Sequence, residues 1–213
     1  MKRGYARGYR QDTSHYDLKR DLRLRFAEKV GADTCFDLFC GSGLMASTVW
    51  ATRFRKVVCV EKRARQLEDF TDLPNADVFC GDNDQLFVGL VTRYGWPDLF
   101  DCDAYGWPDR MVKRILLSRV ADKPFAIVAT NSGMTAWRHG SRNAVPSVWG
   151  FGAGLSFAQF SAGMDVMPVC DYTHLCAWAT AGGKQIVEFE ATAVRAMGWA
   201  TWYWAALVAS EGV

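Results

Sequence analysis

The sequence predicts an α/β domain with a central, mostly parallel sheet and an antiparallel hairpin near the C-terminus. Short apolar runs alternate with amphipathic runs between residues 34 and 129, a pattern typical of parallel strands joined by right-handed helical crossovers. A glycine turn follows the first strand, and acidic residues stand at the ends of later strands. Ligands of open α/β sheets bind outside the carboxyl ends of the strands. These features therefore predict a binding site along that edge.

The alternating elements occupy the first part of the chain. Residues 16–30 are predicted to be helical because Leu18, Leu22 and Phe26 recur at a four-residue spacing. Three potential capping residues precede this helix: Asp12, Thr13 and Ser14. The elements predicted next are strand 34–39, helix 44–53, strand 56–60, helix 64–70, strand 77–80, helix 86–94, strand 98–102, helix 110–120 and strand 125–129.

The pattern changes after Ser132, where glycine becomes frequent and no strand is predicted up to residue 163. Residues 173–180 and 184–192 flank an Ala-Gly-Gly turn. Glycine supplies the positive φ angles that hairpin turns need, so these two segments are predicted to form the hairpin. The aromatic tail, residues 198–208, is predicted either to cover the sheet or to form a contact surface for a second copy or another partner.

The length of 213 residues, half of them apolar, suits one domain with a sizeable core. We divide it into a basic arm and helix, residues 1–30, and a main domain, residues 31–213. The first segment carries nine basic and four acidic residues. Such a basic segment is suited to binding the phosphates of nucleic acid, and the alternative is a solvated terminus with a charged helix face. The candidate phosphate contacts are Arg3, Arg7, Arg10, Lys19 and Arg23.

Residues 132–163 are predicted to be a target-recognition insert. They interleave basic and aromatic side chains, which suit phosphates and unpaired bases. These side chains are Trp137, Arg138, His139, Arg142, Trp149 and Phe151. The alternative is a glycine-rich surface loop without a special task.

Cysteine usage and hydropathy exclude several classes of protein. The seven cysteines form no C-x-x-C pair, so we expect no zinc cluster and no other metal site. Cys35, Cys59, Cys80 and Cys102 lie in apolar runs and are expected to be buried thiols of a reduced, cytoplasmic protein. The N-terminus has no apolar signal region, and no apolar run is long enough for a membrane span.

The glycine turn and three acidic residues predict a site for a nucleoside-like cofactor. Gly41 and Gly43 follow the strand that ends near Asp37, and they allow a ligand to approach the backbone. Glu61 ends the second strand, where a carboxylate can accept both hydroxyls of a ribose. Asp82 follows the third strand and can accept from an adenine amino group, and its alternative role is in an Asx turn. Other residues assigned to this site are Phe39, Ser42, Lys62, Asn83 and Asp103.

Two motifs carry a family resemblance. DLFCGSG at residues 37–43 resembles the first motif of class I nucleic-acid methyltransferases, and FDCDAYGWP at residues 100–108 is similar to the D-x-D-P-[FY]-G-S-P motif of tRNA guanine N2-dimethyltransferases. IVATNS and VMPVCDYTH, residues 127–132 and 166–174, are similar to later segments of that family. In this chain, Ala104 replaces a motif proline, Trp107 replaces a serine and Asn131 stands in place of an aspartate.

The resemblance implies a Rossmann-like class I methyltransferase fold, S-adenosylmethionine (SAM) as cofactor and S-adenosylhomocysteine as product. It also implies an exocyclic amine of a nucleic-acid base as the methyl acceptor, with guanine of RNA favoured over DNA. Two alternatives stay open. One is methylation of a small molecule or a protein on the same scaffold, and the other is a binding protein that kept the cofactor fold without turnover.

The catalytic prediction centres on Asp103, Ala104 and Tyr105. The Asp103 carboxylate and the Ala104 carbonyl are suited to accept the two N–H bonds of an amine, and Asp103 is suited to take the released proton. Tyr105 offers a face on which a base stacks. Asp101 is expected to be structural. Attack by the Cys102 thiol is disfavoured because this side chain should point to the opposite face of the strand.

Overall fold

The computed structural model describes residues 15–70, 72–104, 107–119, 123–132, 167–196 and 199–210. Several predictions lie outside the described residues. These are the stacking role of Tyr105, the phosphate contacts of Arg3, Arg7 and Arg10, the caps Asp12, Thr13 and Ser14, and the recognition role of residues 133–163. Helix α1 has His15 as its N-cap residue, and no side-chain hydrogen bond caps this end.

Strands and helices alternate up to β5, as predicted. The elements are α1 (Tyr16–Ala27), β1 (Thr34–Asp37), a π-helical turn (Ala46–Trp50) that continues as α2 (Ala51–Arg53), β2 (Lys56–Glu61), α3 (Ala64–Leu67), β3 (Ala76–Cys80), α4 (Asn83–Tyr94), β4 (Leu99–Cys102), α5 (Asp109–Leu117) and β5 (Phe125–Asn131). They are followed by α6 (Met167–Ala181), β6 (Lys184–Ala196) and β7 (Trp199–Ser210). The predicted helix 44–53 is present, but its residues Ala46–Trp50 are π-helical and not α-helical.

The seven strands form one sheet in the order β3-β2-β1-β4-β5-β7-β6. The strands from β3 to β5 are parallel, whereas β7 is antiparallel to both β5 and β6. The predicted fold class is therefore confirmed, including an antiparallel hairpin near the C-terminus. The strand order runs outward in opposite directions from β1 and β4, with β2 and β3 on one side and β5 on the other. Ligands of such sheets bind at the point between the two strands where the order reverses.

The first predicted strand of the hairpin, residues 173–180, was wrong, whereas the second, residues 184–192, lies within strand β6. Residues 173–180 belong to helix α6, and the hairpin is formed by β6 and β7. The Gly-Gly pair ends the helix instead of turning a hairpin, because Gly182 N–H bonds to the carbonyl of Trp178 and Gly183 has a φ of 70°. Glycine is a common helix terminator for the same reason that it suits hairpin turns, namely its access to positive φ.

The aromatic tail is neither a cover nor an exposed contact surface. It forms β7, which lies between β5 and β6, and the side chains of Trp202, Tyr203 and Trp204 are buried there. A second correction concerns Cys80, which is exposed, whereas Cys35, Cys59 and Cys102 are buried as predicted.

Helices pack on both faces of the sheet and create two cores. One core joins Phe36, Phe100 and Ile127 to helices α4, α5 and α6. The other joins the alternate strand residues to α1 and the π-helical turn, with Phe26 and Trp50 fully buried. Successive side chains of a strand point to opposite faces, so each position of β1 and β4 is assigned to one core by parity. This parity also decides which helices face the acidic strand ends.

Candidate functional site

The glycine turn connects β1 to the π-helical turn at the carboxyl edge of the sheet. Gly41 and Gly43 have φ angles of 56° and 83°, a region that residues with a Cβ atom rarely adopt. A Cβ atom on Gly43 would lie 2.4 Å from the Phe70 ring, whereas the space beside Gly41 is open. We predicted that a ligand could approach the backbone at both glycines. The space for such a ligand is open at Gly41, whereas the Phe70 ring fills it at Gly43.

Glu61 holds the glycine turn against the end of β2. Its carboxylate accepts hydrogen bonds from the backbone N–H groups of Gly41, at 3.2 Å, and Arg63, at 2.8 Å. The side chain is 9% exposed. The Gln66 amide, in the orientation that satisfies both of its polar atoms, also donates to the two Glu61 oxygens, at 2.8 and 2.9 Å. A carboxylate has about four acceptor positions, so ribose hydroxyls would take the place of this amide. The ribose contact of Glu61 stays a prediction.

The end of β3 is occupied by polar residues of the predicted cofactor site. Asp82 caps helix α4 by accepting from the Asp84 N–H at 2.9 Å, and it forms an ion pair with Lys62 at 2.8 Å. The structure thus gives Asp82 the turn role that was its alternative, and its adenine contact stays a prediction. Asn83 donates to the Leu38 carbonyl. Phe39 packs against the core that contains α4.

Three aspartates stand together at the ends of β1 and β4. Asp37 and Asp101 are register partners on neighbouring parallel strands, and Asp103 follows two residues after Asp101. All three positions have the parity that faces α1 and not α4. Asp37 and Asp101 are 1% and 0% exposed, and the Asp103 side chain is 22% exposed. Such a cluster of carboxylates requires cations nearby.

Helix α1 supplies these cations. Arg23 is fully buried and forms a bidentate pair with Asp101, with Nε 2.8 Å from Oδ2 and Nη2 2.9 Å from Oδ1. Its Nη2 also lies 3.3 Å from Asp103 Oδ2. Lys19 Nζ lies 3.3 Å from the same oxygen of Asp103. The Trp50 indole N–H completes the shell of Asp101 with a hydrogen bond of 3.1 Å.

This arrangement corrects the phosphate-binding role that the sequence suggested for Lys19 and Arg23. The five basic residues of α1 and its end all form ion pairs within the chain. Their partners are Asp103 for Lys19, Asp17 and Asp21 for Arg20, Asp101 and Asp103 for Arg23, Glu190 for Arg25 and Glu188 for Lys29. The predicted structural role of Asp101 agrees with its burial and its bonds to Arg23 and Trp50.

The three carboxyl groups titrate differently because their surroundings differ. Burial raises the pKa of Asp37 well above its usual value, and the charges of Asp101 and Asp103 raise it further. Burial also raises the pKa of Asp101 in spite of Arg23. Burial opposes ionisation of Asp103 too, but Arg23 and Lys19 outweigh it and the pKa of Asp103 is lowered. The site therefore keeps Asp103 ionised and favours a proton on Asp37.

The backbone turns sharply after Asp103. The Ala104 N–H donates to the Cys102 carbonyl at 2.8 Å, and the Ser132 hydroxyl lies 3.4 Å from the Ala104 carbonyl oxygen.

Cys102 belongs to the core on the other face, and burial raises the pKa of its thiol well above the usual range. Both observations argue against a thiolate nucleophile at this position.

A further carboxyl group lies near the end of β5. The Asn131 amide, which stands where the motif resemblance has an aspartate, lies 3.5 Å from Asp171 Oδ2 on α6. Asp171 is 4% exposed, and burial, followed by the charge of Asp109, raises its pKa well above the usual value. Helix α6 thus places an acidic group beside the position at which β5 lacks one.

Sequence analysis missed Arg23, Trp50 and Asp171 as parts of the site. A signal for Arg23 was present, because it is adjacent to Leu22 and three residues before Phe26 on the buried stripe of α1. An arginine on an apolar stripe usually has a buried acidic partner. Trp50 and Asp171 gave no comparable signal, since their contacts depend on the π-helical turn and on α6.

We expect Asp37→Asn to stabilise the folded protein as the pH rises. The raised pKa means that the folded state binds the Asp37 proton more tightly than the unfolded state does, so stability is lost as the pH rises above about 4, the usual aspartate range. The neutral amide removes this loss and should increase the free energy of unfolding at pH 8 by about 1–3 kcal/mol. Urea denaturation of both proteins from pH 5 to 8 measures the difference. If the free energies of unfolding of the two proteins depend on pH in the same way, the raised pKa of Asp37 is wrong.

Strand order, the glycine turn after β1 and the acidic end of β4 together define a Rossmann-like class I methyltransferase fold. Trm1 from Pyrococcus horikoshii, solved with S-adenosyl-L-methionine, is similar with a TM-score of 0.60 at 10% identity, over 90% of this chain and 54% of Trm1. TYW2 from M. jannaschii, in complex with AdoMet, is similar with a TM-score of 0.56 at 12% identity, over 89% of this chain and 75% of that protein.

A third similar structure carries a provisional hemolysin designation and comes from Streptococcus thermophilus. Its TM-score is 0.58 at 11% identity, over 99% of this chain and 70% of that protein. At such identities the likeness establishes the fold alone. The chain spans about half of the length of Trm1. No family model and no curated protein matches the sequence.

The described residues also bear on membrane and metal binding. In these ranges no helix combines the length and the apolar character needed to cross a membrane. The same part of the chain holds no group of three or more His, Cys, Asp or Glu side chains arranged to bind a metal ion.

Proposed function

We propose that this chain is a SAM-dependent methyltransferase that methylates an exocyclic amine of a nucleic-acid base, with guanine in RNA as the favoured target. The observation that carries the proposal is the Asp103 carboxylate, which two cations keep ionised at the carboxyl end of β4. The strand beside it, β1, leads into the glycine turn. An acceptor for an amine thus stands next to a turn suited to a nucleoside.

Two buried side-chain oxygens without a partner fit a cofactor with several polar groups. Asp37 Oδ2 and Asn83 Oδ1 are buried and have no hydrogen-bond partner among the described residues. Buried polar atoms of this kind are rare in folded proteins and call for a partner. SAM carries amino and hydroxyl groups that can donate to Asn83 Oδ1, and its acceptor atoms suit an Asp37 carboxyl group that carries a proton. Asp37 and Glu61 end β1 and β2, and Asn83 begins α4 just after β3, so all three lie at the same edge of the sheet.

Bound SAM supplies an activated methyl group, and the residues of this chain orient the acceptor. The lone pair of an exocyclic amine is delocalised into the base, so the nitrogen is a weak nucleophile. When Asp103 and the Ala104 carbonyl accept its two N–H bonds, the lone pair is directed away from the ring system and the developing positive charge is stabilised. Because the pKa of Asp103 is lowered, its main role is that of an electrostatic partner, and solvent takes the released proton.

Support for RNA comes from the motif resemblance at residues 100–108 and from the fold. A protein of Pyrococcus horikoshii that is provisionally described as an RNA methyltransferase is similar with a TM-score of 0.50 at 12% identity. The basic arm contributes less support than the sequence suggested, because the basic residues from Lys19 to Lys29 are paired internally.

That internal pairing favours a second candidate, methylation of a small molecule or a protein side chain at the same site. Such substrates do not require an array of basic residues for phosphates. The site chemistry is unchanged, since an amine of any origin needs the same acceptors. The two candidates are separated by incubating the protein with methyl-labelled SAM and mixed cellular RNA, DNA, protein extract or a metabolite extract. Transfer to RNA supports the first candidate, and transfer confined to protein or metabolites supports the second.

We expect S-adenosylhomocysteine to stabilise the protein. At one hundred times the dissociation constant, binding to the folded state alone should add about 2.7 kcal/mol to the free energy of unfolding. Glu61→Gln should weaken binding by about 1–3 kcal/mol, because ribose hydroxyls lose a charged acceptor. The exposed neighbour Glu68 provides a control, and Glu68→Gln should bind like the parent. Calorimetry and thermal melts measure both effects, and a parent melt that saturating ligand leaves unmoved would exclude the cofactor.

A further inference from the structure

Lys19 makes an unusual contact for a lysine on a surface helix. Its Nζ lies 3.3 Å from Asp103 Oδ2 and 3.5 Å from Oδ1, and its side chain is only 14% exposed. The nitrogen also lies 5.3 Å from the centre of the Tyr203 ring on β7. The ammonium group is therefore held between a carboxylate and an aromatic face, at the mouth of the candidate site.

The two oxygens of Asp103 are engaged unequally. Oδ2 has contacts of 3.3 Å with both Lys19 Nζ and Arg23 Nη2, whereas the described contact of Oδ1 is the longer one with Lys19. Two cations on one oxygen fix the plane of the carboxylate. The Thr130 hydroxyl also lies beside this carboxylate and helps to lower its pKa. A carboxylate accepts about four hydrogen bonds, so Oδ1 still has room for a donor from the substrate.

We propose that Lys19 is a positioning residue for methyl transfer: with Arg23 it holds Oδ2 of Asp103 and leaves Oδ1 as the acceptor for the substrate amine. The inference rests on the proposed function, for which it names a further residue. Lys19 acts only through Asp103, because the geometry places its ammonium on the carboxylate.

Lys19 and Arg23 differ in what else they support. Arg23 is fully buried and joins Asp101 to α1, so its removal disturbs the core. Among the described residues the ion-pair partner of Lys19 is Asp103 alone, so removal of Lys19 leaves the buried pair of Arg23 and Asp101 intact and should cost less stability than removal of Arg23. Holding a long lysine side chain in one position also costs conformational entropy. A role in orienting Asp103 explains why the side chain is held there.

Removal of Lys19 has a predictable effect on the pH dependence. The charged and titratable groups that face Asp103 are Lys19 and Arg23 on α1, Asp101 on β4 and Asp37 on β1, and Tyr203 on β7 faces Lys19. Because Lys19 helps to lower the pKa of Asp103, its loss raises that pKa. The ionised carboxylate then disappears at a higher pH as the solution is acidified. The acid limit of methyl transfer should move upward in the same direction.

The experiment compares Lys19→Met with Lys29→Met in the full chain. Lys29, two residues after the end of the same helix, is a matched control, since it pairs with Glu188 at the surface and also lies over an aromatic ring, that of Phe26. Single-turnover methyl transfer to mixed cellular RNA is measured from about pH 3 to 8, because the lowered pKa of Asp103 places the acid limit below the usual aspartate range. For Lys19→Met we expect a rate about 10-fold lower at neutral pH and an acid limit about one pH unit higher. Lys19→Arg should restore most of the rate, and Lys29→Met should match the parent.

Three outcomes overturn the inference. If the parent transfers methyl groups and the two methionine variants have the same profile, Lys19 has no positioning role and the proposed function stands. A lower rate with an unmoved acid limit, and without rescue by Lys19→Arg, would mean a merely structural role. If the parent transfers no methyl group to RNA, DNA, protein or metabolites, this inference fails together with the proposed function.

Discussion

Asp103→Asn should reduce methyl transfer by about 10²–10³-fold and leave cofactor affinity nearly unchanged. The amide keeps the size of the side chain and one acceptor oxygen, but it loses the charge that stabilises a developing positive charge on the amine. The loss belongs to the transition state, so it should appear in the single-turnover rate and not in the binding of S-adenosylhomocysteine. The polar atoms assigned to the cofactor lie on Glu61, Asp37 and Asn83, and the substitution leaves them in place.

Asp33→Asn provides the control for this experiment. Asp33 is an exposed carboxylate at the opposite end of β1, where it pairs with Arg55 at 3.4 Å. Both variants are assayed with methyl-labelled SAM on mixed cellular RNA, and on DNA in parallel. If Asp103→Asn turns over as fast as Asp33→Asn, the role of Asp103 is wrong even though the fold is right.

Arg23→Met should lower the free energy of unfolding by about 3–5 kcal/mol. The substitution leaves Asp101 buried without its bidentate partner, and removing one member of a buried ion pair is far more costly than removing both. The loss is large because Asp101 is 0% exposed and, among the described residues, the side-chain hydrogen bond that remains to it is the one from the Trp50 indole. Urea denaturation followed by tryptophan fluorescence measures the change.

Two further variants test whether the loss of stability comes from leaving Asp101 buried without its partner. Arg25→Met removes an arginine from the same helix, but this arginine is half exposed and pairs with Glu190 at the surface, so its loss should cost at most about 1 kcal/mol. The double variant Arg23→Met with Asp101→Leu should recover part of the stability, because it leaves no unpaired charge on Asp101. Equal losses for Arg23→Met and Arg25→Met would show that the buried pair is not important for stability.

The stability of the fold and the proposed methyl transfer depend on the same group of charged residues. Asp37 and Asp101 are like charges in register on adjacent strands, an arrangement that burial makes unfavourable. The charge of Arg23 offsets part of the repulsion between the two carboxylates. The uncompensated burial and repulsion raise the pKa of Asp37. A binding site that keeps such a cluster is typical of sites in which the ligand supplies the missing partners.

Local patterns were sufficient to predict the alternating elements up to β5 and the place of the glycine turn. Strands β1, β2 and β4 are short apolar runs, and turns with glycine at positive φ have a signature that does not depend on distant residues. The acidic strand ends were likewise predicted, because parallel strands place all their carboxyl ends on one edge.

The C-terminal part could not be predicted from local patterns. Residues 173–180 contain β-branched and aromatic residues, yet they form α6, whose two terminal glycines have the same conformational freedom as a hairpin turn. The insertion of β7 between β5 and β6 depends on pairing with Phe125–Asn131, which lies about seventy residues earlier in the chain. Such long-range pairing leaves no mark in a short window of sequence.

The sequence by itself determined strands β1 to β5, the glycine turn and the presence of Asp103 at a strand end, because each depends on neighbours within a few residues. Only the tertiary structure decided what α1 does. Its periodicity predicted a helix, and its charge suggested phosphate binding, but packing of α1 against β5 and β7 places Arg23 beside the buried Asp101 and Lys19 beside Asp103. The charge state of Asp103 follows from this contact across 80 or more residues, because a pKa is set by the groups that surround the carboxylate in space.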